Sequence, residues 1–323
     1  MTMKRRALMA LAAVAFASPM ISVAGGYPDH PVRIIVPFSP GGGTDIQARV
    51  LADALHASMN QTFVVDNKPG ASGLIGAQLA TEAPADGYTI LFTTATLTIN
   101  PQLYGKRWNV DPLRDLEPIS WLTSAPLVLI VHPTVPAHTV PELVAIAKKQ
   151  PDLLTAAINT PGSTSHLASE MFKQKAGISV TLVPFKGGGP AVRSVMGGET
   201  DYLFATGPSA AGPIRAGQVR ALAVTTAKRS SAFPNVPTIN TFYPGFEADN
   251  WYAMFFRKGV PTDIVDQVHD ALVKALHTPR VTDFMAREGL DPVGSTPAEL
   301  TAQIKREMAK YGDVIRVGQI HLR

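Results

Sequence analysis

Short apolar runs along this chain alternate with longer stretches in which apolar residues recur at three- and four-residue spacing. The short runs predict strands at Val32–Phe38, Thr62–Asn67, Tyr88–Thr94, Leu154–Asn159, Val180–Phe185, Asp201–Thr206 and Val219–Thr226. Several are almost unbroken in apolar residues, the pattern of strands covered on both faces. The periodic stretches predict helices at Thr44–Asn60, Ser72–Ala80, Pro141–Gln150, Ser163–Lys175, Gly189–Met196 and Pro208–Ala216. In the first of these, Ile46, Val50, Leu51, Ala54 and Leu55 form one apolar stripe, with Thr44 as the candidate N-cap and Asp45 in the electropositive first turn. Alternation of this kind predicts an α/β fold with mostly parallel sheets flanked by helices.

Two stretches break the alternation. Ile119–His132 is extended around Ser124-Ala125-Pro126, and Asp249–Arg257 is extended and aromatic. Each suits a strand passing between two domains, and paired crossings make a hinge. Afterwards the chain is helical, with Pro261, Pro279 and Pro297 each placed to open a helix. The expected organisation is a discontinuous first domain, 27–124 and 247–323, with a second domain, 125–246, inserted in it.

The 323 residues, 46% of them hydrophobic, suffice for two such cores. The N-terminus reads differently. Lys4, Arg5 and Arg6 precede an apolar segment, Ala7–Ala17, and Ser22-Val23-Ala24 is a small-x-small cleavage site. This predicts a signal peptide at 1–24 and a periplasmic mature protein. Losing three basic residues lowers the formal charge from +4 to +1, so the basic balance is no argument for a nucleic-acid partner. With no cysteine, disulfides and thiolate chemistry are excluded.

The stretch richest in chemistry follows the first strand: PFSPGGGTD at 37–45. A strand, glycine loop and helix start in this order aim backbone N–H groups and a positive helix end at one point, a seat for a small anion. A nucleotide does not fit. No Lys follows Gly43, Ile46 stands where a dinucleotide fingerprint needs Gly or Ala, and Asp45 repels polyphosphate. A mobile turn is the competing reading of the three glycines.

Comparable junctions follow other strands. At 160–166, TPGSTSH, the hydroxyls either donate to a carboxylate or cap a helix. At 185–190, FKGGGP, Lys186 either holds a carboxylate or snorkels at the surface. Thr206-Gly207-Pro208-Ser209 and Thr93–Asn100 complete the set. Open α/β sheets bind ligands at the carboxyl ends of their strands, which places these loops around one interdomain cleft. There is no G-x-S-x-G elbow, no H-E-x-x-H and no carboxylate cluster, so no catalytic residue, metal or cofactor is expected. A secreted hydrolase or transferase using Ser163 or Ser165 with His166 is the alternative from another class.

Taken in order, several segments carry a family resemblance: YPDHPVRIIVPFSPGGGTD at 27–45, NKPGASGLIGA at 67–77, TPGSTSHLASEMF at 160–172, VPFKGGGPAVRSVMGGETDYLF at 183–204, PGFEADNWYAMF at 244–255 and DPVGSTPAEL at 291–300. The chain resembles the periplasmic solute receptors of tripartite tricarboxylate transporters, the Bug family, through nearly all of its mature length. The resemblance implies a two-domain Venus-flytrap fold, hinged on the two crossings, that closes over a small organic carboxylate. It implies a ligand held by backbone N–H groups, hydroxyls and water, a tripartite tricarboxylate-type membrane permease as partner, and a monomer.

Mapped onto this sequence, the candidate contacts in the first domain are Phe38, Ser39, Gly42, Gly43, Thr44, Asp45 and Thr94. Those in the second are Thr160, Gly162, Ser163, Ser165, His166, Lys186, Gly187 and Thr206. Phe185 stands where the family commonly has Tyr, and FATGPSA at 204–210 departs from the usual acidic or Asn-containing version. Asp45 matches the family's Thr-Asp pair and either receives an ammonium or hydroxyl of the ligand or serves the helix alone. The ligand class stays open among mono- and dicarboxylates, amino acids and aromatic acids, and a membrane sensor is the alternative to a permease.

Overall fold

The computed structural model describes residues 26–230 and 232–320, and the expected signal peptide lies outside them. Strands β1 (Val32–Val36), β2 (Phe63–Asn67), β3 (Thr89–Thr94), β4 (Leu116–Ala125), β10 (Asn250–Arg257) and β11 (Asp291–Pro292) form one sheet in the order β11-β4-β10-β3-β1-β2. Strands β5 (Leu127–Val131), β6 (Thr155–Ile158), β7 (Thr181–Pro184), β8 (Tyr202–Thr206) and β9 (Arg220–Val224) form a second in the order β7-β6-β8-β5-β9. Helices α1 (Gly43–Met59), α2 (Leu74–Glu82), α3 (Thr96–Tyr104), α8 (Thr262–Leu276) and α9 (Pro279–Glu288) belong with the first sheet. Helices α4 (Val140–Lys149), α5 (Thr164–Ala176), α6 (Gly188–Met196) and α7 (Gly207–Arg215) belong with the second. The last helix, α10 (Pro297–Gly318), packs against β4 and α3 and also reaches α5.

The fold is the expected α/β one, but the sheets are mixed rather than mostly parallel. The pairs β1–β2, β1–β3, β6–β7 and β6–β8 are parallel, as strand–helix–strand units require. Strand β10 runs against β3 and β4, and β5 runs against β8 and β9. The reason is the crossing itself. β5 and β10 each begin where the chain arrives from the other sheet, so they leave the cleft end that their neighbours β8 and β3 run towards. Run length in a sequence carries no trace of that direction.

Alternation along β1 sends Val32, Ile34 and Val36 into one apolar cluster with Leu51 and Leu55 of α1, all fully buried. The stretch Thr93–Asn100, expected as a loop, instead enters α3. Thr98 Oγ1 donates to Ala95 O at 2.8 Å and Asn100 Nδ2 donates to Ser72 O at 2.8 Å. Thr and Asn are weak helix formers, so only burial reveals this helix. Ser72 is not the cap of α2 either: that position is Gly73, while Ala71 and Ser72 sit at φ 46° and 55°.

At the hinge, the first crossing is β4–Pro126–β5 and the second runs through Ala248 into β10. Fully buried Thr225 ties them together. Its hydroxyl accepts from Leu127 N–H at 2.9 Å and donates to Ala248 C=O at 3.1 Å. Its own N–H donates to Leu127 C=O at 2.9 Å.

Asp249 follows directly, with its Oδ1 3.4 Å from the same hydroxyl. Burial first, then the charge of Glu247, pushes its carboxyl up to about 7; Glu307 on α10 adds to this and Lys310 opposes it. Glu307, itself buried, is raised in the same direction, chiefly by desolvation. The folded chain therefore holds a proton on Asp249 at pH values where the unfolded chain has lost it. Stability is expected to fall as pH rises from about 4 to about 7. Thermal midpoints measured across that range should fall less steeply in Asp249→Asn than in the parent; superimposable profiles would refute the assignment.

Candidate functional site

A cleft of about 1000 Å³ lies between the carboxyl ends of the parallel strands of the two sheets. Its first wall is the β1–α1 junction. β1 delivers Pro37 and Phe38, and the chain then turns through Gly41 at φ 76°. Helix α1 starts at Gly43 with no side-chain cap, which leaves its first N–H groups free for a ligand. Phe38, Ser39, Gly42, Gly43 and Thr44 all line the cleft, joined by Thr94 from the end of β3.

Asp45 does not line it. The carboxylate is buried inside the loop, accepts from Gly41 N–H at 2.8 Å and pairs with Arg49 at 2.9 Å. Arg49 also donates to Asn67 Oδ1 at 3.2 Å, and Asn67 Nδ2 donates to Phe38 C=O at 3.1 Å. Burial opposes the charge on Asp45, but the bonds from Arg49 and Gly41 outweigh it and hold the carboxyl below its ordinary value. Asp45 therefore braces the loop from beneath.

The second wall faces it from the β6–α5 junction, where Thr160 and Ser163 line the cleft. Ser163 is the N-cap of α5: its hydroxyl accepts from His166 N–H at 3.2 Å and donates to Thr160 C=O at 2.7 Å. Gly162, Ser165 and His166, read from sequence as candidate contacts, stand behind this surface. Gly162 supplies a left-handed turn at φ 79° and donates its N–H to His166 Nδ1 at 3.1 Å. Burial lowers the pKa of His166, so the ring is neutral, which suits its acceptor role there. Ser165 is fully buried. Helical geometry explains the split: residues at the first turn of α5 cannot all face one side.

Lys186 and Gly187 line the cleft from the β7–α6 loop, and Thr206 from the end of β8. Thr206 and Ser209 hydroxyls are 2.6 Å apart. The floor comes from the second crossing, which sequence reasoning read only as a hinge. Buried Asn250 accepts from Thr164 Oγ1 at 3.0 Å, linking the floor to the second wall. The Tyr252 hydroxyl lies 3.6 Å from where a Cβ on Gly43 would stand, beneath the first wall. Burial raises its pKa to about 12, so it faces the cleft as a neutral phenol. The polar Asn250 opening an aromatic strand was the available signal. Thr96, within the Thr93–Asn100 stretch, and Asn159, at the head of the 160–166 loop, also line the cleft, as does Arg193 of α6, which sequence reasoning did not single out. Across the mouth, Ser72 Oγ reaches Pro161 C=O at 3.5 Å and Tyr104 Oη at 2.8 Å.

This arrangement does not serve nucleophilic catalysis. His166 Nδ1 accepts a hydrogen bond from Gly162 N–H and Ser163 is engaged in capping, so neither serine is hydrogen-bonded to the His166 ring as a nucleophile–base pair requires. Among the described residues no group of three or more His, Cys, Asp or Glu side chains is gathered for a metal, and no helix is long and apolar enough to cross a membrane.

The chain matches the family described as tripartite tricarboxylate transporter family receptor over residues 47–320. It is 35% identical over 297 residues to protein BugT of Bordetella pertussis, covering 90% of each chain. Among solved structures, Rpa4515 of R. palustris with adipate aligns with a TM-score of 0.86 at 32% identity, covering 91% of this chain and 99% of that one. MatC of Rhodopseudomonas palustris with bound malate aligns with a TM-score of 0.81 at 26% identity, covering 90% and 100%. The likeness extends through both sheets, so the two-walled cleft is part of a shared receptor architecture and not of an enzyme site: this chain belongs to the tripartite tricarboxylate transporter receptor family of periplasmic solute-binding proteins.

Proposed function

We propose that this protein is exported by its N-terminal segment, captures a small organic carboxylate in the interdomain cleft as a monomer, and presents it to a tripartite tricarboxylate-type membrane permease. The observation that carries the reading is the pair of opposed helix starts. α1 opens uncapped after a glycine loop, and α5 opens opposite it behind hydroxyl-bearing Thr160 and Ser163. Two positive helix ends facing one polar gap favour an anion smaller than a nucleotide. The adipate and malate held by two structural relatives are acids of that kind.

The two moving parts are 27–124 with 247–323 and 125–246, joined at the Thr225 hinge. A ligand touching both walls lowers the closed state relative to the open one by its differential contacts, which is what a transporter can read. Nucleic acid has no place in this reading.

A thermal-shift screen of mono- and dicarboxylates, amino acids and aromatic acids tests it, since a ligand that binds only the folded state raises the midpoint. At least one organic acid should give a saturable shift; a flat response across the whole panel would overturn the proposal. Ser163→Ala should lower stability by about 1 kcal/mol through loss of the α5 cap. It should also weaken binding of the acid found, because the 160–163 loop loses its anchor. Calorimetry on the purified variant reads both.

A further inference from the structure

A strained turn of the first wall reaches across the mouth of the cleft to the second. Gly70, Ala71, Ser72 and Gly73 have φ of 135°, 46°, 55° and 100°, positive at every position although Ala71 and Ser72 are not glycine. An L side chain crowds its own backbone there, so these two residues are strained where glycine would not be. Such strain persists only where surrounding bonds over-determine the backbone. Gly73 N–H donates to Gly70 C=O at 2.9 Å, and Asn100 Nδ2 donates to Ser72 C=O at 2.8 Å. The turn also rests on the first wall: the Cβ position of Gly73 lies 3.6 Å from Pro37 Cβ and 3.9 Å from Phe38 Cζ.

The Ser72 hydroxyl stands between the walls. On its own side, Tyr104 Oη lies 2.8 Å away. Asn100 and Tyr104 are four residues apart on α3, so one helix face grips both the carbonyl and the hydroxyl of Ser72. Across the mouth, the hydroxyl donates to Pro161 C=O at 3.5 Å. A hydroxyl has one proton to give. When Ser72 gives it to Pro161, Tyr104 is the donor to Ser72, and the relay runs from α3 through Ser72 to the opposite loop. The contact with Tyr104 is fully formed, whereas that with Pro161 is at the long limit of a hydrogen bond, so a small further closure firms it. Pro161 itself is held in place: the N–H of the next residue, Gly162, donates to His166 Nδ1 at 3.1 Å.

Resting on the carboxylate-receptor reading above, we propose that Ser72 is a positioning residue that latches the closed cleft: oriented by Tyr104, its hydroxyl bonds the Pro161 carbonyl and holds the two walls over a bound acid without contacting that acid. The bond exists only when the walls meet, so it stabilises the closed state over the open one and slows release. Glycine would fit the backbone of position 72 without strain but would carry no hydroxyl. The latch works alike for any acid, because neither partner of its bond belongs to the ligand.

The test measures affinity and dissociation rate for adipate, malate, glutamate, benzoate and every other acid that shifts the midpoint in the thermal screen. It uses the parent, Ser72→Ala, Ser72→Gly and Tyr104→Phe, with midpoints also taken without acid. Losing one net hydrogen bond corresponds to an affinity loss of about twofold to tenfold. Ser72→Ala and Ser72→Gly should both show it, by the same factor for every acid bound, and in faster dissociation rather than slower association. Tyr104→Phe removes the orienting donor and should show a smaller loss. Ser72→Gly also relieves the left-handed strain, so its midpoint without acid should be no lower than the parent's while its affinity falls; a merely structural serine would lose both together. Unchanged affinity in Ser72→Ala and Ser72→Gly overturns the latch. So does a loss confined to particular acids, which would place Ser72 against the ligand. In either case the carboxylate receptor stands. Absence of binding by every acid in the screen overturns both.

Discussion

Thr225→Val is expected to destabilise the protein by about 2–5 kcal/mol, because each buried backbone group left without a partner costs about 1–3 kcal/mol. Valine matches threonine in shape but removes the hydroxyl that accepts from Leu127 N–H and donates to Ala248 C=O. Those two groups lie on the two separate crossings, and Thr225 is fully buried, so water cannot replace it without opening the hinge. Thr225→Ser keeps the hydroxyl and should recover most of the loss. Urea unfolding of the three proteins decides it. A Thr225→Val midpoint equal to the parent's would mean that the crossings are held by their backbone bonds alone. Because the same residue joins the two crossings, the proposed closure predicts that the variant also alters the ligand-induced thermal shift.

Phe172→Ala is expected to cost about 3–5 kcal/mol, the range for removing a large aromatic from a packed core. Phe172 is fully buried on α5. Its ring meets Phe204 at 5.6 Å, Tyr243 at 6.0 Å, Tyr202 at 6.4 Å and Phe246 at 6.5 Å, each edge to face. Edge-to-face pairs contribute beyond area burial, and four cannot be re-formed by relaxation around an alanine. The consequence reaches the cleft, since α5 carries Ser163 and Thr164 at its other end. Chemical denaturation gives the stability change. A loss under about 1 kcal/mol would show that the ring cluster collapses around the void.

Much of this molecule was legible in its residues. Apolar runs and periodic stretches located β1, β6, β8 and α1 to within a residue or two, because side-chain period is set locally by the backbone. The strand, the turn at Gly41 and the helix start after it were legible for the same reason, since all three are short-range features. What escaped was long-range. Helix α3 is built from Thr and Asn residues that become helical only once Asn100 finds Ser72. Asn250 and Tyr252 are eighty or more residues from the helix starts they underlie, and nothing in their own neighbourhood marks a floor.

Asp45 shows where the boundary falls. Sequence placed it in the first turn of α1 beside the anion seat, with two roles open. Only the packing of Arg49 and Asn67 around it decided that its charge is consumed in bracing the loop. Arg193 is the converse: it falls within the stretch predicted as a helix at Gly189–Met196 and was given no role there, and the tertiary structure brings it to the cleft lining. By itself the sequence predicted most of the strands and helices, an α/β chain in two parts, and glycine loops unsuited to a nucleotide. Tertiary structure alone decided which polar groups face the gap and which are neutralised behind it, because that depends on partners brought together by folding and not on neighbours along the chain.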